Sequence, residues 1–305
     1  MVELEQRHNF RVCVGICAYD EEKNIGRLLE NLTRSNLRID EIHVIASGCT
    51  DKTTEIVRNF MHKNQRVKIE LTEESERKGK ASATNLLLSK AKGDILLLIA
   101  ADTFPCKASL FRLIKSFENP LVGAASAHPV TINSPRSVMG SIVHLIWKTH
   151  DEIAKFEDAK RTFFHLSGEM CAFRHDLVER IPPRIINEDT YIGWQVKRQS
   201  FKVEYVPDAI VYMKGPTNIF DLYKQRVRVV QGHLQIHKMA GPEILTINPL
   251  KVPYFVIKCV SLSLRGIFSL IIAAIAEVIA HIAARYKLSK GALEYEWCQV
   301  KSTKW

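Results

Sequence analysis

Apolar runs of strand length alternate with amphipathic segments through the first half of this 305-residue chain. The segments between the runs carry apolar residues at spacings of three and four, which is typical of helices. Because the links are short, the alternation predicts an α/β fold with a mostly parallel sheet covered on both faces. The predicted strands cover residues 11–17, 41–46, 67–71, 94–100 and 121–127, and the predicted helices cover 21–35, 51–63, 80–92 and 107–118.

The pattern changes after Pro129. Beyond it we expect a long helix, a strand, a second helix, a strand or hairpin and a long basic helix. These elements cover residues 137–156, 162–173, the segment after Glu188, 202–213 and 218–239, respectively. No internal repeat or low-complexity linker interrupts them, so we expect one compact unit that ends near residue 240.

From Pro249 onward the composition becomes more apolar, and residues 266–284 contain only two strongly polar side chains, Glu277 and His281. As a helix this stretch would be about 28 Å long, close to the thickness of a bilayer core. One stripe at a spacing of four consists of Ser269, Ala273, Glu277 and His281. Such a stripe is typical of a spanning helix packed on a partner or of a helix lying in the interface. We therefore expect residues 241–305 to associate with a membrane; core helices of a soluble domain are the alternative.

The charge balance and the cysteines narrow the class of protein further. The chain has 43 Lys and Arg against 33 Asp and Glu, a net charge of +10, which suits an anionic membrane surface. It shows no recognised nucleic-acid motif, so we expect no nucleic-acid partner. Seven cysteines without a CxxC pair favour reduced thiols. Residues 1–11 lack an apolar secretory core, which predicts a cytoplasmic catalytic part.

Three short stretches place acidic residues where they could serve a binding site, Asp20, Asp102 and Asp189, and Asp102 is the most informative of them. It follows the apolar run 93–99 after two alanines and should lie at the carboxyl edge of the sheet, where open α/β folds bind ligands. Carboxylate oxygens at such an edge suit Mg²⁺ or Mn²⁺ and a diphosphate. The alternative is that Asp102 caps the following helix.

Two further segments carry binding chemistry. Tyr19 and Asp20 end the first strand, where an aromatic ring and a carboxylate can hold a nucleobase; capping of the next helix is the alternative. Residues 77–80, Arg-Lys-Gly-Lys, place cations and a glycine before a predicted helix, which favours an anion site over a solvated basic turn.

Taken in order, these segments resemble glycosyltransferase family 2 over about residues 10–235. The opening stretch, residues 18–22, stands where the family usually has Pro-x-Tyr-Asn-Glu-Glu, with Ala18 and Asp20 in place of Pro and Asn. Ser47 stands where an Asp is common. The metal segment usually reads Asp-x-Asp, but here Ala100 replaces the first carboxylate and Asp102 keeps the second.

The resemblance continues through the second half of the chain. Ser167-Gly168 is similar to a small-residue turn near the acceptor, and Glu188-Asp189 is similar to the signature whose Asp is the catalytic base. Residues 225–229 resemble a Gln-x-x-Arg-Trp element, although the Trp is replaced by valine.

The resemblance implies a nucleotide-diphospho-sugar transferase fold of GT-A type. A Rossmann-like donor half (about 10–128) would join a mixed-sheet acceptor half (129–240), both within a catalytic domain of residues 1–240. The implied catalytic residues are Asp189 as base, Glu188 in support and Arg228 against the leaving group. The implied donor-binding residues are Ala18, Tyr19, Asp20, Glu22, Ser47, Lys80, Asp102 and Gln225, with Ser167 and Gly168 at the acceptor and the metal on Asp102.

The implied reaction is the inverting transfer of a sugar from a nucleotide-diphosphate donor, with Mg²⁺ or Mn²⁺ as cofactor. We expect a UDP-sugar as donor and a lipid-linked or glycan acceptor at the cytoplasmic face of the cell membrane. Two alternatives remain. An inactive membrane-bound scaffold of the same fold would agree with the replacements Ala100 and Val229. A nucleotidyltransferase that makes sugar nucleotides would usually show a glycine-rich loop, and residues 18–24 contain no glycine.

Overall fold

Eight strands form one sheet in the computed structural model, which describes residues 9–241, 243–296 and 301–303. The strands are β1 (Val12–Ala18), β2 (Glu41–Ser47), β3 (Lys68–Glu74), β4 (Ile95–Ala100), β5 (Phe104–Pro105), β6 (Val122–Thr131), β7 (Met170–Arg174) and β8 (Lys202–Met213). The α-helices are α1 (Ile25–Thr33), α2 (Thr53–Lys63), α3 (Lys80–Lys90), α4 (Ser109–Lys115), α5 (Val138–Ala159), α6 (Glu188–Arg198), α7 (Ile219–Ala240), α8 (Val252–Cys259) and α9 (Leu264–Ser289).

The first half of the sheet is parallel, in the order β3-β2-β1-β4. Its central strands are buried on both faces, which is why they appear in the sequence as nearly continuous apolar runs. Helices α1 to α3 connect these strands, because parallel neighbours need a crossover connection that a short hairpin cannot supply. The predicted parallel sheet is therefore confirmed, and each strand end lies within three residues of its predicted position.

The second half of the sheet is mixed, in the order β4-β7-β6-β8-β5. Strand β7 runs antiparallel to both β4 and β6, whereas β6 and β8 are parallel. The register between β4 and β7 pairs Ile99 with Met170. A parallel half followed by a mixed half is the architecture that the family resemblance implied, so the predicted fold class is confirmed.

Several local predictions were wrong. Strand β7 occupies only the end of the predicted strand 162–173, and residues 162–167 have no regular structure. Helix α1 begins at Ile25, four residues later than expected, because the chain first passes through Asp20 in a left-handed conformation (φ 50°). Asp20 therefore does not cap α1. The short strand β5, which pairs with β8, was not predicted.

Helix α9 has one packed face and one exposed apolar face. Its small residues Ala280 and Ala284 pack against Val227 and Val230 of α7. The opposite face and α8 expose the large side chains Tyr254, Ile257, Ile267, Phe268, Ile271, Ile275, Val278, Ile279, Ile282 and Tyr286. Among the described residues, α9 is the one helix long and apolar enough to cross a bilayer by length and composition. The division at residue 240 stays a prediction.

All six cysteines that the structure describes are free, and their reduced state in the cell stays a prediction. Cys298 lies outside the described residues, as do residues 1–8 of the N-terminal segment.

Candidate active site

A cavity of about 830 Å³ opens where β1, β2 and β4 end, at the carboxyl edge of the parallel strands. Most of the predicted site residues line it, although they come from distant parts of the chain: Ala18, Tyr19, Ser47, Lys80, Asp102, Ser167, Gly168, Glu188, Asp189, Gln225 and Arg228. Asp20 and Glu22 do not line it. The Asp20 carboxylate accepts a hydrogen bond from the backbone N–H of Thr50 (2.7 Å), and Glu22 accepts one from Lys52 (3.3 Å), so both carboxylates connect the loops behind the cavity.

Lys80 links the start of α3 to Glu188 of α6 inside the cavity. It is the first residue of α3 and follows Gly79, whose positive φ of 84° suits glycine. Its Nζ lies 2.6 Å from a carboxylate oxygen of Glu188 and donates to the carbonyl of Gly168 at 3.4 Å. Burial alone would lower the pKa of Lys80, but the charges of Glu188 and Asp189 raise it above its ordinary value. Lys80 is therefore a fixed cation beside two carboxylates.

Asp189 lies in the first turn of α6 and faces the same space. Its Oδ1 accepts a hydrogen bond from the backbone N–H of Thr190 at 2.6 Å. Burial, with the charge of Glu188, raises the pKa of Asp189 to about 7, although Lys80 opposes the shift. A Cβ atom on Gly168 would lie 2.7 Å from Asp189 Oδ2, so any larger residue there would displace the carboxylate from its present position. A carboxylate that gains and loses a proton near neutral pH suits a general base.

Asp102 lies in the turn after β4 and does not cap a helix, because α4 begins only at Ser109. Burial raises the pKa of Asp102 to about 6; the charge of Glu169 adds to the shift, whereas Lys80 and Arg228 oppose it. Carboxylate oxygens inside a cavity form a donor set that fits Mg²⁺ or Mn²⁺. A bound divalent cation would also offset the unfavourable burial of negative charge there.

Glu169 also lines the cavity, and the sequence analysis missed it. Its carboxylate accepts a hydrogen bond from the hydroxyl of Ser167 at 2.6 Å, and its backbone carbonyl accepts one from the N–H of Ala100 at 3.0 Å. The sequence contains no signal for this proximity, because it depends on which strand pairs with β4.

The region proposed for the nucleobase is partly formed. The guanidinium carbon of Arg77 lies 3.9 Å from the centre of the Tyr19 ring and covers one face of it. The buried hydroxyl of Ser47 lacks a hydrogen-bond partner among the described residues, which leaves it available to a ligand. Gly48 has a positive φ of 64°, and a Cβ there would lie 2.9 Å from the Arg77 backbone nitrogen, so glycine lets the two loops meet.

The far end of the cavity lies between α5, α7, α8 and α9. Its walls are largely apolar and include Leu145, Trp147, Ile153, Val256, Leu270 and Val278. Three imidazoles also line the cavity, those of His150, His165 and His233; the Nε2 atoms of the last two are 2.9 Å apart. Burial lowers the pKa of His233 to about 3 and of His150 to about 4, so these rings are neutral.

The polar stripe of α9 faces the catalytic part of the chain. Glu277 accepts two hydrogen bonds from Arg226 of α7, each at 2.8 Å, and lies 3.2 Å from His281. All three side chains line the cavity. The sequence left open whether this stripe packs on a partner or marks a helix in the membrane interface; in the structure it contacts α7 of the same chain.

Comparison with known proteins agrees with this geometry. The family profile described as "Glycosyltransferase like family 2" matches residues 8–232. The chain belongs to glycosyltransferase family 2. Within the family, a poly-beta-1,6-N-acetyl-D-glucosamine synthase of Staphylococcus aureus is 26% identical over 222 residues, which cover 71% of this chain and 53% of the synthase. The chain thus spans about half the length of this curated relative.

Solved structures of other transferases share the fold. A mannosyltransferase from Pyrobaculum calidifontis, in complex with GDP-Man and Mn²⁺, has a TM-score of 0.64 and 24% identity over 93% of this chain and 80% of its own. Glucosyl-3-phosphoglycerate synthase from Mycobacterium tuberculosis, with Mn²⁺, UDP and phosphoglyceric acid, has a TM-score of 0.54 and 16% identity over 74% of this chain and 78% of its own. Family membership places the chain among the glycosyltransferases and speaks against the nucleotidyltransferase alternative.

Proposed function

We propose that this family member is an inverting glycosyltransferase that moves a sugar from a UDP-sugar to a lipid-linked acceptor at the cytoplasmic face of the cell membrane. One observation carries the proposal: a single cavity extends from the donor-side residues to the apolar walls between α5, α8 and α9. An acceptor with a polar head and a long apolar tail matches both ends of that space.

The donor diphosphate would lie against the positive groups of the cavity. Lys80 sits at the start of α3, where helix N–H groups and the helix dipole add to its charge. Arg228 approaches from α7 and would stabilise the leaving nucleotide diphosphate. A divalent cation held by Asp102 would neutralise further charge on the diphosphate.

Asp189 would take the proton from the attacking acceptor hydroxyl. Its pKa of about 7 lets it be deprotonated in a large fraction of molecules at cytoplasmic pH while it remains basic enough to accept a proton. The hydrogen bond from Thr190 fixes one carboxylate oxygen, which leaves the other directed at Gly168 and the cavity. Glu188 holds Lys80 and so sets the charge beside the base.

The apolar walls favour a lipid-linked acceptor over a free glycan. Trp147 stands among mostly aliphatic side chains at the far end of the cavity, and Val229 lines the cavity where related elements carry the Trp that would stack on a sugar. The neighbouring walls from α8 and α9, such as Val256 and Leu270, offer a surface suited to an alkyl or isoprenoid chain.

Membrane attachment would place this end of the cavity beside its acceptor. The exposed side chains of α9 form an apolar face larger than soluble proteins usually expose to water, and basic residues lie at both ends of the helix. Because the other face packs on α7, we propose that α9 lies in the membrane interface and does not cross the bilayer.

Calorimetric titration of the detergent-purified chain with UDP and with GDP tests the donor site. We expect UDP to bind in the presence of Mn²⁺ and to bind much more weakly to Asp102→Ala, whereas Asp176→Ala, an exposed carboxylate outside the cavity, should bind as the wild type does. Binding of GDP but not UDP would indicate a GDP-sugar as the donor. Binding of neither nucleotide would refute the proposal.

Transfer from a radiolabelled UDP-sugar tests the acceptor. We expect label in the organic phase when polyprenyl phosphate or glycolipid vesicles are supplied. Label found only in added soluble oligosaccharides would instead identify a glycan acceptor and refute the assignment of the apolar walls.

A further inference from the structure

The chain lacks the first of the two acids that its family usually carries after β4, because position 100 is Ala100. The strand pairing brings another acid to the same place. Ile99 is paired with Met170, and the N–H of Ala100 donates to the carbonyl of Glu169 at 3.0 Å, which continues the register by one residue. Residues directly opposite each other in an antiparallel pair have Cβ atoms about 4.5–5.5 Å apart and point to the same face.

We infer that Glu169 replaces the missing acid, so that Asp102 and Glu169 together hold the divalent cation of the donor site. This inference rests on the proposed function, which places a cation at Asp102. A glutamate is one methylene longer than an aspartate, so its carboxylate can reach from the neighbouring strand into the space that an acid at position 100 would use.

Two observations support a ligand role for the Glu169 side chain. It lines the same cavity as Asp102. Ser167 donates a hydrogen bond to Oε2 and so fixes the orientation of the carboxylate, as outer groups commonly do for metal ligands.

A purely structural role for this side chain is less well supported. The end of β4 is held by the backbone of Glu169, whose carbonyl accepts from the N–H of Ala100 and from the hydroxyl of Thr103 (3.2 Å). These contacts do not involve the carboxylate. Glu169→Gln should therefore keep the fold and can still accept the hydrogen bond from Ser167.

The test exchanges the acid between the two strands. Mn²⁺ binding to the UDP-saturated full chain is followed by the electron paramagnetic resonance signal of free Mn²⁺, which does not depend on turnover. We expect Glu169→Gln and Glu169→Ala to weaken Mn²⁺ binding by about ten-fold or more, in the range seen when metal-site groups are removed. Adding Ala100→Asp to either variant should restore most of the affinity, and Glu152→Gln, a glutamate outside the cavity, should change nothing.

Each outcome decides between the two proposals. Wild-type Mn²⁺ affinity in both Glu169 variants would overturn the inference but leave the proposed function intact. A loss that Ala100→Asp does not restore would also overturn it, because Glu169 would then not replace the missing acid. A wild-type chain that binds neither UDP nor Mn²⁺ would refute the proposed function itself. Melting temperatures measured without metal identify any variant that fails to fold.

Discussion

Replacement of Asp189 by asparagine removes the proposed base while it keeps the shape of the side chain. The amide oxygen can still accept the hydrogen bond from Thr190, and the variant still fits beside Gly168. It cannot take a proton from the acceptor. We therefore expect donor binding to persist and the chemical step to fail.

The size of the effect follows from the chemistry of the group. A positioned general base contributes about 10²- to 10⁴-fold to a rate, so kcat should fall by that factor in Asp189→Asn. Because kcat/KM reports the free enzyme, the pKa of about 7 predicts its pH profile. Asp189 is deprotonated in about a tenth of the molecules at pH 6 and in about nine tenths at pH 8. The kcat/KM of the wild type should therefore rise about ten-fold between these pH values.

Release of UDP from the donor in the absence of acceptor is a suitable assay, since water then replaces the acceptor hydroxyl. The control is Asp176→Asn, which changes an exposed carboxylate outside the cavity and should behave as the wild type does. Full activity in Asp189→Asn, or a wild-type rate that does not change from pH 6 to pH 8, would refute the assignment of Asp189 as base.

Three further predictions concern the surroundings of the site. Gly168→Ala places a Cβ atom 2.7 Å from the Asp189 carboxylate, so kcat should fall about 10²-fold with little change in melting temperature. A large fall in melting temperature together with the loss of kcat would indicate a folding defect instead. Glu277→Gln should lower the free energy of unfolding, measured by chemical denaturation, by about 1–3 kcal/mol. This is less than for a fully buried pair because Glu277 and Arg226 are 33% and 17% exposed, and an unchanged denaturation midpoint would contradict it. Asp102 and Asp189 have folded-state pKa values above their ordinary 3.8, so the folded chain binds protons that the unfolded chain releases, and metal-free stability should fall as pH rises from about 4 to 7. In Asp189→Asn the free energy of unfolding should fall less steeply with pH than in the wild type. An identical pH dependence would contradict a raised pKa for Asp189.

The parallel half of the fold was predictable because its cause is local. Strands buried on both faces must be apolar along their whole length, and β1, β2 and β4 satisfy this condition. Strand β5 was not predictable, since its two residues become a strand only through pairing with β8. The same holds for residues 162–167, whose apolar side chains are buried without strand pairing.

The site was predictable where motif and position coincide. Residues at strand ends, such as Asp102, and at helix starts, such as Lys80, line the cavity because parallel strands bring those positions to one edge. Asp20 differed because a left-handed backbone directs its carboxylate to the next loop. Glu169 was missed because strand register is a long-range property, and one residue of slip would move its side chain to the other face.

The contact between α9 and α7 has a practical consequence for purification. A chain shortened to end after α7, the usual way to obtain a soluble form of a membrane-attached enzyme, would expose Val227 and Val230 and leave Arg226 without its carboxylate partner. It would also remove one wall of the cavity. A shortened form that stays in solution would therefore be a poor substitute for the detergent-solubilised full chain in a search for the acceptor.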